Sequence, residues 1–85
     1  MACEKTTKTL KCGVVVKTYK YSHSGKEEKY YYYRGMELAH LMSDGVLCFN
    51  SKYWRNEAIR KEHSAIFSLI RRRAKAKTIS EYMNI

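Results

Sequence analysis

The hydrophobic positions among residues 9–34 fall into two segments that a polar stretch separates. Residues 9–22 (TLKCGVVVKTYKYS) and 29–34 (KYYYYR) are rich in β-branched and aromatic side chains, which pack well on a pleated surface. The polar segment 23–28 (HSGKEE), centred on Gly25, separates them. This order predicts a β-hairpin whose loop is longer than two residues, so its register is left open.

The hydrophobic positions after Gly35 follow a helical pattern. Residues 36–43 (MELAHLMS) favour a short helix with its leucines on one side. The helix is predicted to end at Asp44-Gly45, because glycine commonly follows a helix C-terminus. Residues 46–49 (VLCF) indicate a short strand or a buried connection.

The longest periodic segment, residues 52–75, predicts an amphipathic helix. At 100° per residue, its apolar side chains fill an arc of about 220° that starts at Trp54, and Arg, Lys and Ser occupy most of the remainder. An alternative is two helices with a break near His63-Ser64. Residues 78–81 (TISE) match a capping box, which predicts a last short helix.

The resulting order, β-β-α-(β)-α-α, predicts the α+β class. The expected fold is an N-terminal β-hairpin, or a three-stranded sheet, packed against a short helix and a long basic amphipathic helix. With 85 residues, the chain is expected to form one small domain over 1–85. The Lys- and Thr-rich residues 1–8 are expected to fray.

Positive charge is concentrated in one block of the chain. The net charge is +9; residues 1–50 hold 8 basic and 5 acidic side chains, whereas residues 51–77 hold 9 and 2. Such a block attracts polyanions or acidic protein faces. Favourable interaction with a helix dipole accounts for one or two cations, not for five among residues 71–77.

The basic segment 52–77 is therefore predicted to bind phosphates of a nucleic acid, with DNA favoured over RNA, or an acidic protein surface. A solvated helix end is the plain alternative. The residues assigned to this binding are Lys52, Arg55, Arg60, Lys61, Arg71, Arg72, Arg73, Lys75 and Lys77.

Tyrosines are the second unusual feature, and six of the eight lie in the predicted hairpin. Strand alternation places Tyr30 and Tyr32 on one face and Tyr31 and Tyr33 on the other. One face must pack on the helices, so the other exposes tyrosines beside lysines. Base stacking, a protein interface and simple shielding of the sheet all remain open. The predicted aromatic contact residues are Tyr19, Tyr21, Tyr30, Tyr31, Tyr32 and Tyr33.

Residues 37–56 match a DNA-binding helix-turn-helix only in part. Gly45 stands where the turn favours glycine. Leu41 stands where a small residue is expected, and Asp44 and Ser51 stand where apolar residues are expected. The helix-turn-helix therefore remains a secondary hypothesis.

Catalytic and metal-binding chemistry is not indicated. The three cysteines have no C-x-x-C spacing and the three histidines lie far apart, so we predict no metal site and no cofactor. Phosphate-binding loops, dinucleotide motifs and zinc-protease motifs are absent from the sequence, so we predict that the protein is not an enzyme. The odd cysteine count favours a reducing cytoplasmic location, and no apolar run approaches the roughly 20 residues of a membrane span.

Two functions remain open from the sequence. The first is a small basic accessory protein that binds nucleic acid. The second is a non-enzymatic adaptor or inhibitor, of the kind phages and mobile elements carry, that docks on an acidic surface of a host protein. An exposed hairpin edge can also pair with a second copy, so a homodimer is a further option.

Overall fold

The computed structural model describes residues 3–82. Six strands form one sheet in chain order: β1 (Cys3–Thr9), β2 (Val15–Tyr21), β3 (Glu27–Tyr33), β4 (Met36–Leu41), β5 (Val46–Asn50) and β6 (Thr78–Tyr82). Strands β1 to β5 are an antiparallel meander, and β6 pairs in parallel with β5. Three short helices connect β5 to β6: α1 (Ser51–Trp54), α2 (Glu57–Glu62) and α3 (Ser64–Ala74).

This architecture shows that the predicted fold, a hairpin or three-stranded sheet with one short and one long helix, is wrong. The predicted helix over 36–43 is strand β4, and the predicted capping box at 78–81 lies in strand β6. The predicted long helix over 52–75 is three short helices. The helix-turn-helix over 37–56 is excluded with them, because its first half lies in strands.

The N-terminal segment also differs from its prediction. Residues 3–8, expected to fray, belong to β1, which pairs with β2 along its whole length. Residues 1–2 lie outside the described residues. Every residue of β1 is exposed, so hydrogen bonding to β2 rather than burial holds this edge strand in place.

A two-residue turn explains why β4 is a strand. Arg34 (φ 50°) and Gly35 (φ 78°) both have the positive φ that a type I′ turn requires, and the turn folds β4 back along β3. Met, Glu, Leu and Ala are good helix formers, but their intrinsic preference is weak. Pairing with β3 on one side and β5 on the other therefore outweighs it.

The next turn was predicted as a helix end and is a hairpin loop. The Gly45 N–H donates to the Met42 carbonyl (3.0 Å), and the Met42 N–H donates to the Val46 carbonyl (2.9 Å). Gly45, at φ 91°, follows Asp44, whose carboxylate accepts the Val46 N–H (3.2 Å). This is a three-residue hairpin loop in which the glycine takes the left-handed position.

Several local predictions are confirmed. The hairpin is present as β2 and β3, and the short strand over 46–49 lies in β5. The alternative of two helices is right about the break near His63-Ser64, because His63 (φ −112°, ψ 26°) separates α2 from α3. It misses a second break at Arg55-Asn56, which separates α1 from α2.

The helices cover one face of the sheet and form the core with it. The Phe49 ring stacks on the Trp54 ring (4.4 Å between centroids), and Phe67 packs edge-on against both. Ile70 of α3 is fully buried beside them. No helix within residues 3–82 is long and apolar enough to cross a membrane. The buried core is Val14, Val16, Tyr31, Leu38, Ala39, Leu47, Phe49, Phe67 and Ile70.

Candidate nucleic-acid interface

The predicted basic residues fall into two groups, and the first has partners within the protein. The Arg55 Nε donates to a Glu81 carboxylate oxygen (2.8 Å), which ties the end of α1 to β6. This hydrogen bond holds the pKa of the Glu81 carboxyl below its usual value. The Arg60 guanidinium lies over the Trp54 ring (4.7 Å to the centroid) and donates to the Trp54 carbonyl (3.4 Å).

The two lysines of this group are also engaged. The Lys61 ammonium pairs with the Glu57 carboxylate one helical turn earlier (3.2 Å). The Lys52 ammonium lies 5.6 Å from the centroid of the Tyr53 ring. Exposed contacts of this kind contribute little to stability, but the Glu81 and Glu57 carboxylates offset part of the positive charge that α1 and α2 present to a ligand.

The second group consists of Arg71, Arg72, Arg73, Lys75 and Lys77. All five are exposed, and none forms an ion pair with any residue in the described range 3–82. They gather at the C-terminal end of α3, where the helix dipole is negative. Lys75 ends the helix with φ 49°, a left-handed conformation that favours glycine.

A cleft of about 430 Å³ lies between this helix end and strands β1 to β3. Its floor consists of two rows of neighbouring residues across the three strands, and Arg73 and Lys75 form its helical wall. One row is Thr6, Thr18 and Lys29; the other is Lys8, Val16 and Tyr31.

The cleft is strongly positive. Lys8, Lys29, Arg73 and Lys75 line it, and no carboxylate of residues 3–82 does. None of these four cations has an ion pair with another residue of the described chain. Four cations brought together without a counter-charge repel one another, so the arrangement favours binding of an anion.

Tyr31 adds a hydrogen-bonding group to the cleft floor. Its side chain is 2% exposed, and its hydroxyl has no hydrogen-bond partner within residues 3–82. No fully buried side-chain oxygen in that range lacks a partner, so the hydroxyl keeps some contact with solvent, and Tyr31 lines the cleft. Burial raises the pKa of Tyr31, and the nearby Arg73 charge opposes that rise. The hydroxyl therefore stays protonated and able to donate.

Further depressions continue the positive surface around the end of α3. Lys75 lines both the cleft and a second depression of about 520 Å³, and Arg71 lines both the second and a third of about 340 Å³ that reaches Arg60 and Trp54. Among the described residues, no carboxylate lines any of the three. We call the cations of this region that have no ion pair or ring contact within residues 3–82 the cationic surface. They are Lys8, Lys29, Arg71, Arg72, Arg73, Lys75 and Lys77.

Lys8 and Lys29 were absent from the predicted contacts. Strand alternation could have placed Lys29 on the same face as Tyr31, because the two are two positions apart in one strand. Nothing in the sequence pointed to Lys8, since it lies in the segment expected to fray. Its position follows from pairing between β1 and β2, which sets Lys8 opposite the buried Val16.

The predicted aromatic contact face is divided between the two sides of the sheet. Tyr31 is buried in the core, and Tyr33 packs against it with its ring 5.3 Å from the His63 ring. The other four tyrosines lie on the face without helices, where they line a shallow depression of about 130 Å³: Tyr19, Tyr21, Tyr30 and Tyr32.

On this open face, carboxylates are bonded to tyrosine hydroxyls. The Glu37 carboxylate accepts from the Tyr82 hydroxyl (2.6 Å) and from the Tyr32 hydroxyl (3.1 Å). Burial, helped by the bond to Glu37, raises the pKa of Tyr32 to about 12. Burial and the same carboxylate raise the pKa of Tyr82 as well.

A second pair on the open face joins histidine and glutamate. The His40 Nε2 and a Glu28 carboxylate oxygen are 3.0 Å apart, and the His40 ring stacks on the Tyr30 ring (4.0 Å between centroids). Two lysines cover rings of the same face: Lys17 lies 4.6 Å from the centroid of Tyr32, and Lys5 lies 5.7 Å from that of Tyr19.

Comparisons with protein-family models, curated proteins and solved structures found no match. Within residues 3–82, no three His, Cys, Asp or Glu side chains are grouped closely enough to hold a metal ion.

Proposed function

We propose that this protein binds nucleic acid through its cationic surface, by contacts to phosphates rather than to bases. The observation that carries the proposal is the absence of any ion-pair partner, within the described residues, for the five cations at the end of α3. Backbone phosphates supply the missing counter-charge at a regular spacing, and binding them releases condensed counterions. We place this activity in a reducing cytoplasmic compartment and assign no catalytic step to it.

The test is fluorescence anisotropy with labelled duplex DNA, single-stranded DNA and RNA between about 50 and 200 mM salt. The variant Arg71→Gln/Arg72→Gln/Arg73→Gln is expected to lower affinity at least about tenfold and to reduce the salt slope by about 2. Its fold should survive, because all three side chains are exposed.

A variant with the same change in net charge provides the control. Lys20→Gln/Lys26→Gln/Lys52→Gln removes three exposed cations that lie outside the cationic surface. It should lower affinity much less than the arginine variant. Equal losses from the two variants would show that only net charge matters and would contradict the proposal.

The second candidate is an adaptor or inhibitor that docks on an acidic surface of another protein. Its support is the open tyrosine face, since tyrosines are enriched at the centres of protein interfaces. However, that face and the cationic surface lie on opposite sides of the sheet, so one flat partner cannot contact both. Absence of binding to all three nucleic acids at 50 mM salt would reject the first candidate and favour this one.

A further inference from the structure

We infer that the cleft between α3 and strands β1 to β3 holds a backbone phosphate of a single strand, so that the protein prefers single-stranded nucleic acid to duplex. This inference rests on the proposed function and assigns it a substrate class. It is carried by the donors that line the cleft, by the unpartnered Tyr31 hydroxyl and by the recessed shape of the site.

The cleft offers donors of the kinds that bind phosphate oxygens. The ammonium groups of Lys8 and Lys29 and the guanidinium of Arg73 supply charge. The hydroxyls of Thr6 and Thr18 lie in the same cross-strand row as Lys29 and supply neutral donors. A phosphate oxygen accepts from both kinds of group, whereas an apolar ligand would leave all of them unbonded.

The Tyr31 hydroxyl is an independent indication that the cleft takes a polar ligand. Tyr31 is 2% exposed and lines the cleft, and its hydroxyl has no partner in the described chain. A polar group in so confined a position gains from a bound acceptor, because its access to water is restricted. Since Arg73 and Tyr31 line the same cleft, one anion can contact both groups.

The shape of the site favours a flexible strand. Three neighbouring strands span about 10 Å, and the two rows of the floor lie about 7 Å apart, with α3 rising along one side. A volume of about 430 Å³ falls within the range of sites for small ligands. Duplex DNA is stiff over about 150 base pairs and presents its phosphates on a convex rod, so it can rest on the rim but cannot follow this floor.

Two substitutions test the cleft without touching the arginines of α3. Lys29→Gln removes a floor cation, and Tyr31→Phe removes only a hydroxyl. Lys20→Gln is the matched control, because Lys20 is an exposed lysine of the same sheet that does not line the cleft. Circular dichroism and thermal melting establish that each variant is folded before binding is measured.

Lys29→Gln is expected to weaken binding of a single-stranded 12-mer about tenfold and to lower its salt slope by about 0.7, while duplex binding changes less than about threefold. Tyr31→Phe should weaken single-strand binding about threefold with no change in slope, since it removes no charge. Lys20→Gln should match the wild-type protein. If Lys29→Gln does not fold, Tyr31→Phe, which keeps the core ring, decides alone.

A titration with inorganic pyrophosphate locates the site directly. Amide shifts in the NMR spectrum at Thr18, Lys29 and Lys75 would support the cleft, and shifts confined to Arg71 and Arg72 would overturn it. Equal single-strand binding by wild type, Lys29→Gln and Tyr31→Phe would also overturn the cleft, while loss of binding in the triple arginine variant would leave the proposed function standing. A wild-type protein that binds no oligonucleotide rejects both.

Discussion

The two faces of the sheet differ in whether their charged side chains have partners within the protein. On the open face, Glu37 accepts two tyrosine hydroxyls and Glu28 pairs with His40. On the other side, around the end of α3, cations converge on a cleft that no carboxylate in the described part of the chain lines. These carboxylates of the open face have partners within the protein, whereas the cations around the cleft have no ion pair within residues 3–82.

This difference separates stability from binding. Bonds to a partly buried carboxylate stabilise the fold, because an unbonded carboxylate or hydroxyl there would lose its hydration without compensation. Concentrated like charge has the opposite effect on the folded state and is relieved when an anion binds. Substitutions on the open face should therefore change the free energy of unfolding, and substitutions around the cleft should change affinity.

The largest effect on stability is expected from Glu37→Gln. It replaces a charged acceptor of two hydroxyl groups with a neutral amide, and we expect the free energy of unfolding to fall by about 1–3 kcal/mol in urea denaturation. The matched control is Glu27→Gln, an exposed carboxylate on β3 without an ion pair in the described residues, which should change it by less than about 0.5 kcal/mol. A large change in nucleic-acid affinity from Glu37→Gln would contradict the assignment of stability to the open face and of binding to the cleft.

The second largest effect on the free energy of unfolding is expected from high pH, which acts on the open face. The pKa of Tyr32 rises to about 12 in the folded protein from an ordinary value of 10.0, so the folded state holds this proton more tightly than the unfolded state. The stability from this group is fully present below pH 10 and is lost as pH rises through about 12. Urea denaturation across this range should show the loss. Because lysines titrate in the same pH range, the variant Tyr32→Phe is the reference. Its free energy of unfolding should decline less steeply with pH than that of the wild-type protein.

Lys75→Gly should change stability and affinity in opposite directions. Lys75 holds a left-handed conformation at the end of α3, and glycine relieves that strain, so the free energy of unfolding should rise by about 1 kcal/mol. The same change removes a cation from the cleft wall and should weaken single-strand binding about threefold. Thermal melting and anisotropy measure the two effects. Unchanged affinity would remove Lys75 from the site.

Arg34→Asn provides the matched case with the smallest effect. Arg34 also has a left-handed conformation, in the turn between β3 and β4, but it does not line the cleft. Asparagine suits a type I′ turn, so stability should rise by about 0.5 kcal/mol in thermal melting, while single-strand affinity stays unchanged. A loss of affinity here would indicate that phosphate contacts extend beyond the cationic surface.

The errors in the predicted fold have one physical origin. Residues 36–41 contain good helix formers, and nothing local in MELAHL excludes a helix. The turn glycines carried the missing information. Gly13, Gly25, Gly35 and Gly45 stand 10 to 12 positions apart, and each lies between two strands with a positive φ. Turn signals at that spacing are typical of a meander of short strands. The regular spacing is visible only when the four glycines are considered together.

The candidate site was predicted in part, and its outline needed the tertiary structure. The cluster at residues 71–77 was visible in the sequence because its cations are neighbours in the chain. The engagement of Arg55 with Glu81 was not visible, since the two lie 26 positions apart. Whether a basic residue is available to a ligand depends on such distant partners.

What the sequence determined by itself was local: the tyrosine-rich hairpin, the break at His63 and the block of positive charge, each of which depends on neighbouring residues. Only the tertiary structure decided which positive residues meet. The pairing of β1, β2 and β3 sets Lys8 and Lys29 in neighbouring rows of the sheet. They meet Arg73 and Lys75 because α3 ends over those rows. Strand register and helix placement arise from long-range pairing and burial, and a cleft built from four elements exists only once those are set.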